Sequence, residues 1–544
     1  MTVEKGQKKV YITIETQNSS WEKKRRMGSV LKGAAGYLLI SFLLMLLLTR
    51  SSFLYPYNNW DDANSYLSMG KSMFHGAVIY RDIFDQKGPY LYFLYGLCSL
   101  ISRTDFSGVF IMEVIFGAID LALIRKILLL YCSKETSLLA TPILFACMCA
   151  SKSFYWGGSA EELCLPFLLF PLYLLARTLE KANREGKRAV FSEKDVFLAG
   201  LCCGVVFNIK FTLMGFYLAF AIIVIASCCS GREFARLALC YILGILLPFV
   251  PWVIYFGVNG ALDDWFGVYI YTNVFVYSDF GENSHGETMG TRLYDLAKLL
   301  YWLILDNIQY FIFILIGMIW MFFRKSRVLS RLAPVLLFSL TFFFIYIGGA
   351  TLPYYAIPLT TLSVYGMAAV GTGVDAIVKR RRTSRPIQRK WSKKKKTGFM
   401  GILLIASLFV SLIIYFHFSW NIEYLSYDQK DVFLSYFTED IQHDQEEGIV
   451  DAENTTLLNI GCLDCGLYTT ADIYPSCYWF QTQTLPGDEV TNEQIRYIEE
   501  EQIDYVVARD SYPQALEEHY EQIDSFHQVM GTQEFDYYLF RKKQ

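Results

Sequence analysis

The chain has 544 residues, of which 53% are hydrophobic and 17% aromatic, and its formal net charge is −3. This composition is too apolar for an ordinary soluble protein. Near-continuous apolar runs fill most of residues 30–420, and many have the roughly 17 to 25 residues that cross a bilayer. We therefore predict a polytopic membrane protein.

The small net charge hides an uneven distribution of charged side chains. Residues 421–544 contain 26 acidic and 6 basic residues, whereas residues 1–420 contain 26 acidic and 43 basic ones. Such asymmetry indicates two units in different environments. We predict an all-α membrane domain over residues 28–420 and an extracytoplasmic α/β domain over residues 421–544.

The first 27 residues are polar and end in a basic cluster, Lys23-Lys24-Arg25-Arg26. Positive charge beside a first apolar run keeps the N-terminus in the cytoplasm. No convincing cleavage site follows that run, so we expect a cytoplasmic tail and a retained signal-anchor. Further basic clusters, including eleven Lys or Arg within residues 379–396, indicate cytoplasmic loops.

The apolar runs predict twelve or thirteen transmembrane helices. After the first run they lie near residues 89–102, 105–130, 136–152, 162–179, 195–210, 213–229, 236–256, 296–322, 331–349, 353–377 and 398–419.

In the acidic C-terminal part, predicted strands and helices alternate as they do in an α/β domain. Residues 456–461 and 504–508 read as strands, residues 492–502 as an amphipathic helix, and residues 537–541 as a closing edge strand. Cys462 and Cys465 have redox-motif spacing, but a single pair is a weak signal for metal or redox chemistry. The role of this domain is open from sequence, with recognition of an acceptor as one option.

A charged stretch follows the first apolar run, within a predicted outer loop over residues 50–88. Asp61 and Asp62 lie there between Trp60 and Tyr66. Either acid could simply cap the helix that follows. A partly desolvated carboxylate beside a polar substrate is also suited to accept a proton from a hydroxyl, and the residues alone favour neither reading.

The same loop ends in a second charged cluster, with Arg81, Asp85 and Lys87 before the turn Gly88-Pro89. An isolated lysine at this depth usually extends to the lipid headgroups. The neighbouring charges favour a phosphate site instead.

Three further ionisable residues lie at predicted span ends. Glu161 and Glu162 precede an apolar run, where they could complement a helix dipole or face the same pocket as Asp61. Lys210 lies where two predicted spans meet, and an ionisable residue at that depth is a functional candidate.

Taken together, these residues resemble the GT-C type polyprenyl-phosphate-sugar glycosyltransferases of the protein O-mannosyltransferase and aminoarabinose-transferase superfamily. The resemblance covers roughly residues 30–420 and rests mainly on the first loop. It is carried by Asp61-Asp62 with Tyr66, by residues 80–92, by Glu161-Glu162, and by Tyr354-Tyr355 at the start of a late span. Gly88 departs from the pattern, because many relatives run from the lysine directly into proline.

The resemblance implies a catalytic aspartate at Asp61, a sugar donor on a long polyprenyl phosphate such as undecaprenyl phosphate, and inversion at the anomeric carbon. We expect Arg81, Lys87 and Lys210 to hold the donor phosphate, because a departing phosphate anion needs cations. We expect the acceptor or the cations to be oriented by Asp62, Tyr66, Asp85, Glu161, Glu162, Tyr354 and Tyr355.

No His/Cys cluster predicts a metal site or cofactor, although carboxylates could hold a divalent cation. We thus expect a multi-pass cell-membrane enzyme that passes a hexosyl or pentosyl group to a cell-wall polymer, lipid or protein at the outer face. Two alternatives are a transporter or flippase of lipid-linked sugars, which predicts internal repeats and mid-membrane charges, and a silent scaffold. Nucleic-acid binding is not expected.

Overall fold

The computed structural model of the chain describes residues 33–276, 289–349, 351–384 and 393–543. The predicted cytoplasmic tail, residues 1–27, lies outside them. The part before residue 420 is helical. Its helices are α1 Gly33–Leu48, α2 Asp61–His75, α3 Pro89–Ser99, α4 Ser107–Leu128, α5 Lys134–Cys149, α6 Ala160–Leu163, α7 Leu165–Glu185, α8 Glu193–Phe207, α9 Met214–Ser227, α10 Gly231–Leu246, α11 Val250–Val258, α12 Leu262–Trp265, α13 Met289–Asp306, α14 Ile308–Phe323, α15 Val328–Tyr346, α16 Ser363–Ser384 and α17 Lys393–Phe418. A π-helix follows α12 (Phe266–Val276), and a 3₁₀ helix precedes α16 (Pro353–Leu362).

Several of these helices are suited to a membrane, which supports a multi-pass membrane protein. Within the residues that the structure describes, six helical segments are long and apolar enough to cross one: Ser107–Leu128, Ala160–Glu185, Gly231–Val258, Val328–Tyr346, Pro353–Arg381 and Thr397–Phe418. A seventh span forms if Gly290–Asp306 and Ile308–Phe323, which are bent by 113° at their junction, act together.

This number is smaller than the twelve or thirteen spans predicted from sequence. Other predicted spans are helices in the structure, but shorter ones. The segment near residues 89–102, for example, is the 11-residue helix α3, which rises about 16 Å against a hydrocarbon core of about 30 Å. Apolar content alone therefore does not set the length of a helix, because turns cut several apolar runs short.

Helix α2 organises the junction between the two parts of the chain. It is polar on average, yet residues 62–72 are all buried. One face packs along α3, and the other meets the C-terminal part, where the Lys71 ammonium donates to the Tyr468 carbonyl at 2.8 Å. The predicted first loop is thus a folded helix between two layers.

Close packing of α2 on α3 depends on two glycines. A Cβ added to Gly70 would lie 2.5 Å from the Gly96 backbone nitrogen, and one added to Gly96 would lie 2.8 Å from the Gly70 carbonyl oxygen. The backbones therefore touch, and neither position has room for a side chain.

The C-terminal part is an α/β domain, as predicted. It contains α18 Phe433–Glu446, β1 Leu457–Ile460, α19 Leu467–Thr470, α20 Glu489–Glu499, β2 Tyr505–Arg509, α21 Ala515–His519, β3 Tyr520–Met530 and β4 Gln533–Lys542. The strand order is β1-β2-β4-β3, with β1 and β2 parallel and the other pairs antiparallel.

The prediction that residues 537–541 form the edge strand is wrong. They lie in β4, which pairs with β2 on one side and β3 on the other. The edge strand β3 carries Glu521, Gln522, Asp524 and His527, and half of it is exposed. Strand β3 was not predicted from the sequence because it is polar, although charged side chains are a common feature of protected sheet edges.

A buried arginine, Arg50, contacts residues of both domains. Arg50 lies between the rings of Tyr155 and Tyr424, with its guanidinium carbon 4.1 and 3.4 Å from their centroids. It also donates to the side-chain oxygen of Asn421 at 2.9 Å. The Tyr424 hydroxyl in turn donates to the Met530 carbonyl, so the turn between β3 and β4 is held against the membrane domain.

The glycine contact yields a prediction. We expect Gly70→Ala to destabilise the protein by about 1–3 kcal/mol, because the added methyl group overpacks a backbone contact. Gly373→Ala is the matched control, since that helical glycine is exposed with open space around it and alanine there should stabilise by up to about 1 kcal/mol. Thermal unfolding of the detergent-solubilised chain measures both, and equal stability of the two variants would contradict the packing argument.

Candidate active site

A polar cavity of about 420 Å³ lies where the membrane domain meets the C-terminal domain. Six of the residues predicted from sequence line it: Asp61, Asp62, Asp85, Lys87, Tyr354 and Tyr355. The two aspartates come from the first turn of α2, whereas Asp85 and Lys87 come from the segment between α2 and α3. The structure therefore brings the two charged clusters of the first loop together.

Asp61 is paired with a residue of the C-terminal domain. Its Oδ2 atom lies 2.9 Å from the Arg509 guanidinium, and the two side chains are 23% and 15% exposed. Arg509 ends strand β2 and lies over the Phe535 ring, 4.7 Å from its centroid. The C-terminal domain thus completes the site by supplying a cation to the predicted catalytic carboxylate.

Two opposing effects set the proton affinity of Asp61. Burial raises the pKa of its carboxyl above the ordinary value, and the Arg509 charge opposes this rise. Burial also raises the pKa of Asp85, against the charge of Lys87. A carboxylate with a raised pKa that still faces a cavity can accept a proton from a bound hydroxyl.

Asp62 faces the other cation of the cavity. The Tyr354 hydroxyl donates to its Oδ2 atom at 2.7 Å, and its Oδ1 atom lies 3.9 Å from the Lys87 ammonium. The 3₁₀ helix that carries Tyr354 is buried, which fixes this contact. Adjacent aspartates therefore have different partners, Asp61 an arginine and Asp62 a tyrosine and a lysine.

A second, largely apolar cavity of about 170 Å³ adjoins the first. Lys87, Gln86 and Tyr355 line both cavities. Lys210 lines the second, where its ammonium lies 3.1 Å from Glu161 and 4.1 Å from the centre of the Tyr355 ring. Most of the remaining lining is apolar, from Phe211, Tyr269, Phe344 and Ile345 among others.

Gly88 accounts for the approach of the two lysines. Its N–H donates to the Ile209 carbonyl, and a Cβ at this position would lie 2.2 Å from the Asn208 carbonyl oxygen. The chain before α3 therefore touches the segment that ends in Lys210. The extra glycine thus has a structural reason, and it keeps Lys87 beside the second cavity.

Four predicted site residues do not line either cavity: Arg81, Glu161, Glu162 and Tyr66. Arg81 points away, because its guanidinium pairs with Asp82 at 2.7 Å and donates to the Asn259 carbonyl, so the structure does not bring it to the other predicted phosphate ligands. Glu162 accepts from the Gly158 N–H at 2.7 Å, so the structure places it outside the cavities. Tyr66 is buried beneath the site, with Lys87 5.7 Å from its ring centre.

Sequence reasoning missed the contribution of the C-terminal domain. Arg509, Gln483, Gln528 and Gln533 all line the larger cavity, hundreds of residues after the first loop. No local motif marks them. The one available signal was that Arg509 is among only six basic residues in an acidic segment.

The pair of Asp61 and Arg509 yields a second prediction. Arg509→Gln should destabilise the folded chain by about 1–3 kcal/mol at neutral pH, because the partly buried Asp61 carboxylate loses its partner. Without the arginine the pKa of Asp61 rises further. A carboxyl whose pKa is higher in the folded state favours folding once protonated, so the deficit should shrink as the pH falls.

Thermal unfolding from mildly acidic to neutral pH measures this effect. Adding Asp61→Asn to Arg509→Gln should restore stability at neutral pH. Arg496→Gln, which removes an exposed arginine paired with Glu493 in the same domain, is the control and should show no pH-dependent deficit. A deficit for Arg509→Gln that does not vary with pH would exclude Asp61 as its source.

Comparison with known proteins agrees with the resemblance seen in the first loop. Residues 86–255 match the family model of dolichyl-phosphate-mannose-protein mannosyltransferases. No curated protein is significantly similar in sequence over the chain.

Two solved structures align with most of this chain. ArnT from Cupriavidus metallidurans, in a structure with bound undecaprenyl phosphate, aligns with a TM-score of 0.57 at 13% identity, covering 94% of this chain and 98% of ArnT. The mycobacterial arabinofuranosyltransferase AftD aligns with a TM-score of 0.48 at 12% identity, covering 93% of this chain and 41% of AftD. The fold assignment rests on the first alignment. The chain thus has the fold of ArnT, and the family match over residues 86–255 confirms the predicted resemblance to the mannosyltransferases.

Proposed function

We propose that this protein is a glycosyltransferase that moves a sugar from a polyprenyl-phosphate carrier to a cell-surface acceptor, with inversion at the anomeric carbon. The observation that carries the proposal is the meeting of two unlike cavities at Lys87. One is apolar and has a lysine at its end, and the other is polar and contains paired carboxylates. A lipid-linked sugar has the same order of parts, namely an apolar chain, a phosphate and a sugar.

The donor can occupy the two cavities in only one orientation, with its prenyl chain in the apolar cavity and its sugar in the polar one. The prenyl chain would lie against Phe211, Tyr269 and Phe344 of the apolar cavity. The phosphate would lie between Lys87 and Lys210, where two ammonium groups can neutralise an anion. The fold shared with ArnT, whose structure contains undecaprenyl phosphate, supports a carrier of this type.

The sugar would then extend into the polar cavity, towards Asp61. In a single displacement, Asp61 accepts the proton of the acceptor hydroxyl while the hydroxyl oxygen bonds to the anomeric carbon. The bond between that carbon and the phosphate oxygen breaks with its electron pair, and the polyprenyl phosphate leaves as an anion held by the lysines. Attack opposite to the leaving group inverts the configuration.

The neighbours of Asp61 have supporting roles in this scheme. Arg509 fixes the direction of the carboxylate and keeps it ionised, despite the burial that raises its pKa. The Tyr354 hydroxyl donates to the Asp62 carboxylate. This carboxylate lies near Lys87 and offsets part of the lysine's positive charge before the donor binds. A positioned base of this kind contributes about 10² to 10⁴ in rate.

The cavity is proposed to face the outside of the cell. The positive-inside rule supports this side, because residues 379–396 are strongly basic while the C-terminal domain is acidic. Donors that have been carried across the membrane on a polyprenyl phosphate would reach the cavity there.

Release of polyprenyl phosphate from a panel of undecaprenyl-phosphate-linked hexoses and pentoses tests the function. The purified chain is supplied with each donor and with a cell-envelope extract as acceptor. We expect one donor to be consumed, with the product anomer inverted as read by NMR. A flippase would move donor across vesicles without releasing the phosphate, so transport without cleavage would contradict the proposal.

Substitution of the proposed base gives a sharper outcome. Asp61→Asn should lower the rate of sugar transfer by about 10² to 10⁴, because the amide cannot accept the proton. The control is Asp82→Asn, in the same loop but paired outward with Arg81, which should retain full activity. Wild-type rates for Asp61→Asn would remove Asp61 from the mechanism.

The proposed phosphate contact can be tested with a matched pair of cations. Lys87→Gln should raise the KM for the lipid donor by about tenfold or more, since a hydrogen bond to a charged group contributes about 1.5–3 kcal/mol. Arg81→Gln removes a nearby cation that lines neither cavity, and should leave the donor KM unchanged. Equal effects of the two substitutions would mean that Lys87 acts only through general surface charge.

A further inference from the structure

Among the described residues, the polar cavity has one more acidic than basic side chain, and both bases lie beside an acid. Three acids line it, Asp61, Asp62 and Asp85, and two bases, Lys87 and Arg509. Arg509 lies 2.9 Å from Asp61, and Lys87 lies 3.9 Å from Asp62. An acceptor bearing phosphate or carboxylate groups would therefore meet an excess of acid, and like charges in a desolvated site disfavour binding.

Several uncharged polar groups of the cavity wall lack protein partners. Gln528 is 4% exposed; its Oε1 accepts from the Phe433 N–H, while its Nε2 has no partner in the described part of the chain. Gln483 is 6% exposed and donates to the Phe84 carbonyl at 3.4 Å, and its Oε1 accepts no bond from a described residue. The Oε1 atom of Gln86 and the Nε1 atom of Trp156 are also buried without a partner among the residues described.

These groups include both donors and acceptors. A polar atom without a protein partner in a largely buried wall is less well satisfied than in water, so a ligand that pairs with these groups gains affinity. A hydroxyl group can donate and accept at once, which suits a wall of mixed amide and indole groups better than an anion or a cation does. The lining therefore favours a ligand rich in hydroxyl groups.

Aromatic rings form another part of the wall. Trp60 and Trp156 are stacked, with centroids 5.2 Å apart and an interplanar angle of 13°, and Tyr354 meets Trp60 edge-on at 4.9 Å. All three line the cavity. Flat aromatic faces pack well against the C–H faces of sugar rings, while their polar edges bind hydroxyl groups.

We propose that this cavity binds the acceptor as an uncharged carbohydrate, held by Gln483 and Gln528 of the C-terminal domain and by the Trp60–Trp156 pair. The designation as acceptor rests on the proposed function. The volume of about 420 Å³ is within the range of roughly 300–1,000 Å³ typical of small-molecule sites, so the occupant is a short stretch of glycan and not a folded protein. The C-terminal domain then selects the acceptor, while the membrane domain binds the donor.

Binding can be measured without turnover by saturation-transfer NMR on the full chain in detergent. The probes are the methyl glycosides of glucose, mannose, galactose and N-acetylglucosamine, and the 6-phosphates of the same sugars. We expect at least one neutral glycoside to bind, and its 6-phosphate to bind at least tenfold more weakly. Tighter or equal binding of the phosphates, or no binding by any neutral glycoside, would overturn the proposal.

Substitutions of the two cavity glutamines test where the glycoside binds. Gln483→Leu and Gln528→Leu should each weaken glycoside binding by about tenfold, since each removes a hydrogen bond in a buried site. The control is Gln522→Leu, on the same strand as Gln528 but exposed, which should bind as the wild type does. If thermal unfolding shows both site variants folded and both bind normally, the site is elsewhere.

The two proposals fail separately. Glycoside binding that follows the expected pattern, without any release of polyprenyl phosphate, would contradict the transferase and leave the carbohydrate site standing. Donor cleavage with no neutral glycoside bound would contradict the carbohydrate site alone.

Discussion

The burial of a polar helix is the constraint on which the rest of the structure depends. Helix α2 buries Ser65, Ser68 and Lys71, and buried polar side chains need hydrogen-bond partners. The C-terminal domain supplies them: the Ser65 hydroxyl donates to Gln481, the Ser68 hydroxyl to Asp464, and the Lys71 ammonium to the Tyr468 carbonyl. The two domains are therefore joined by obligatory hydrogen bonds, not by a chance contact.

This junction also decides where the chemistry can occur. The first turn of α2 carries Asp61 and Asp62 to the rim of the interface, so one wall of the cavity belongs to each domain. Gly88 brings Lys87 against the segment before Lys210, and this contact joins the polar cavity to the apolar one. A small residue and a polar helix thus set the relative positions of base and cations.

Local sequence was sufficient to predict those site residues that lie close together in the chain. Asp61, Asp62 and Lys87 could be predicted because aromatic and charged residues are concentrated beside an apolar run. Arg509 could not, since its position depends on how a distant sheet docks on α2. The position of Arg81 could not be predicted for a related reason: charge density predicts a cluster, but only the fold shows that this arginine pairs with Asp82 and points away from the cavities. Strand β3 was missed because an exposed edge strand has a polar pattern.

The contact between α2 and the C-terminal domain also constrains how many times the chain crosses the membrane. Two segments that touch outside the hydrocarbon must be on the same side of the bilayer. The chain between His75 and Trp420 therefore traverses the membrane an even number of times, whichever of the shorter helices take part. If α1 is itself a crossing, the total is odd, and of the two totals predicted from sequence thirteen satisfies this parity whereas twelve does not.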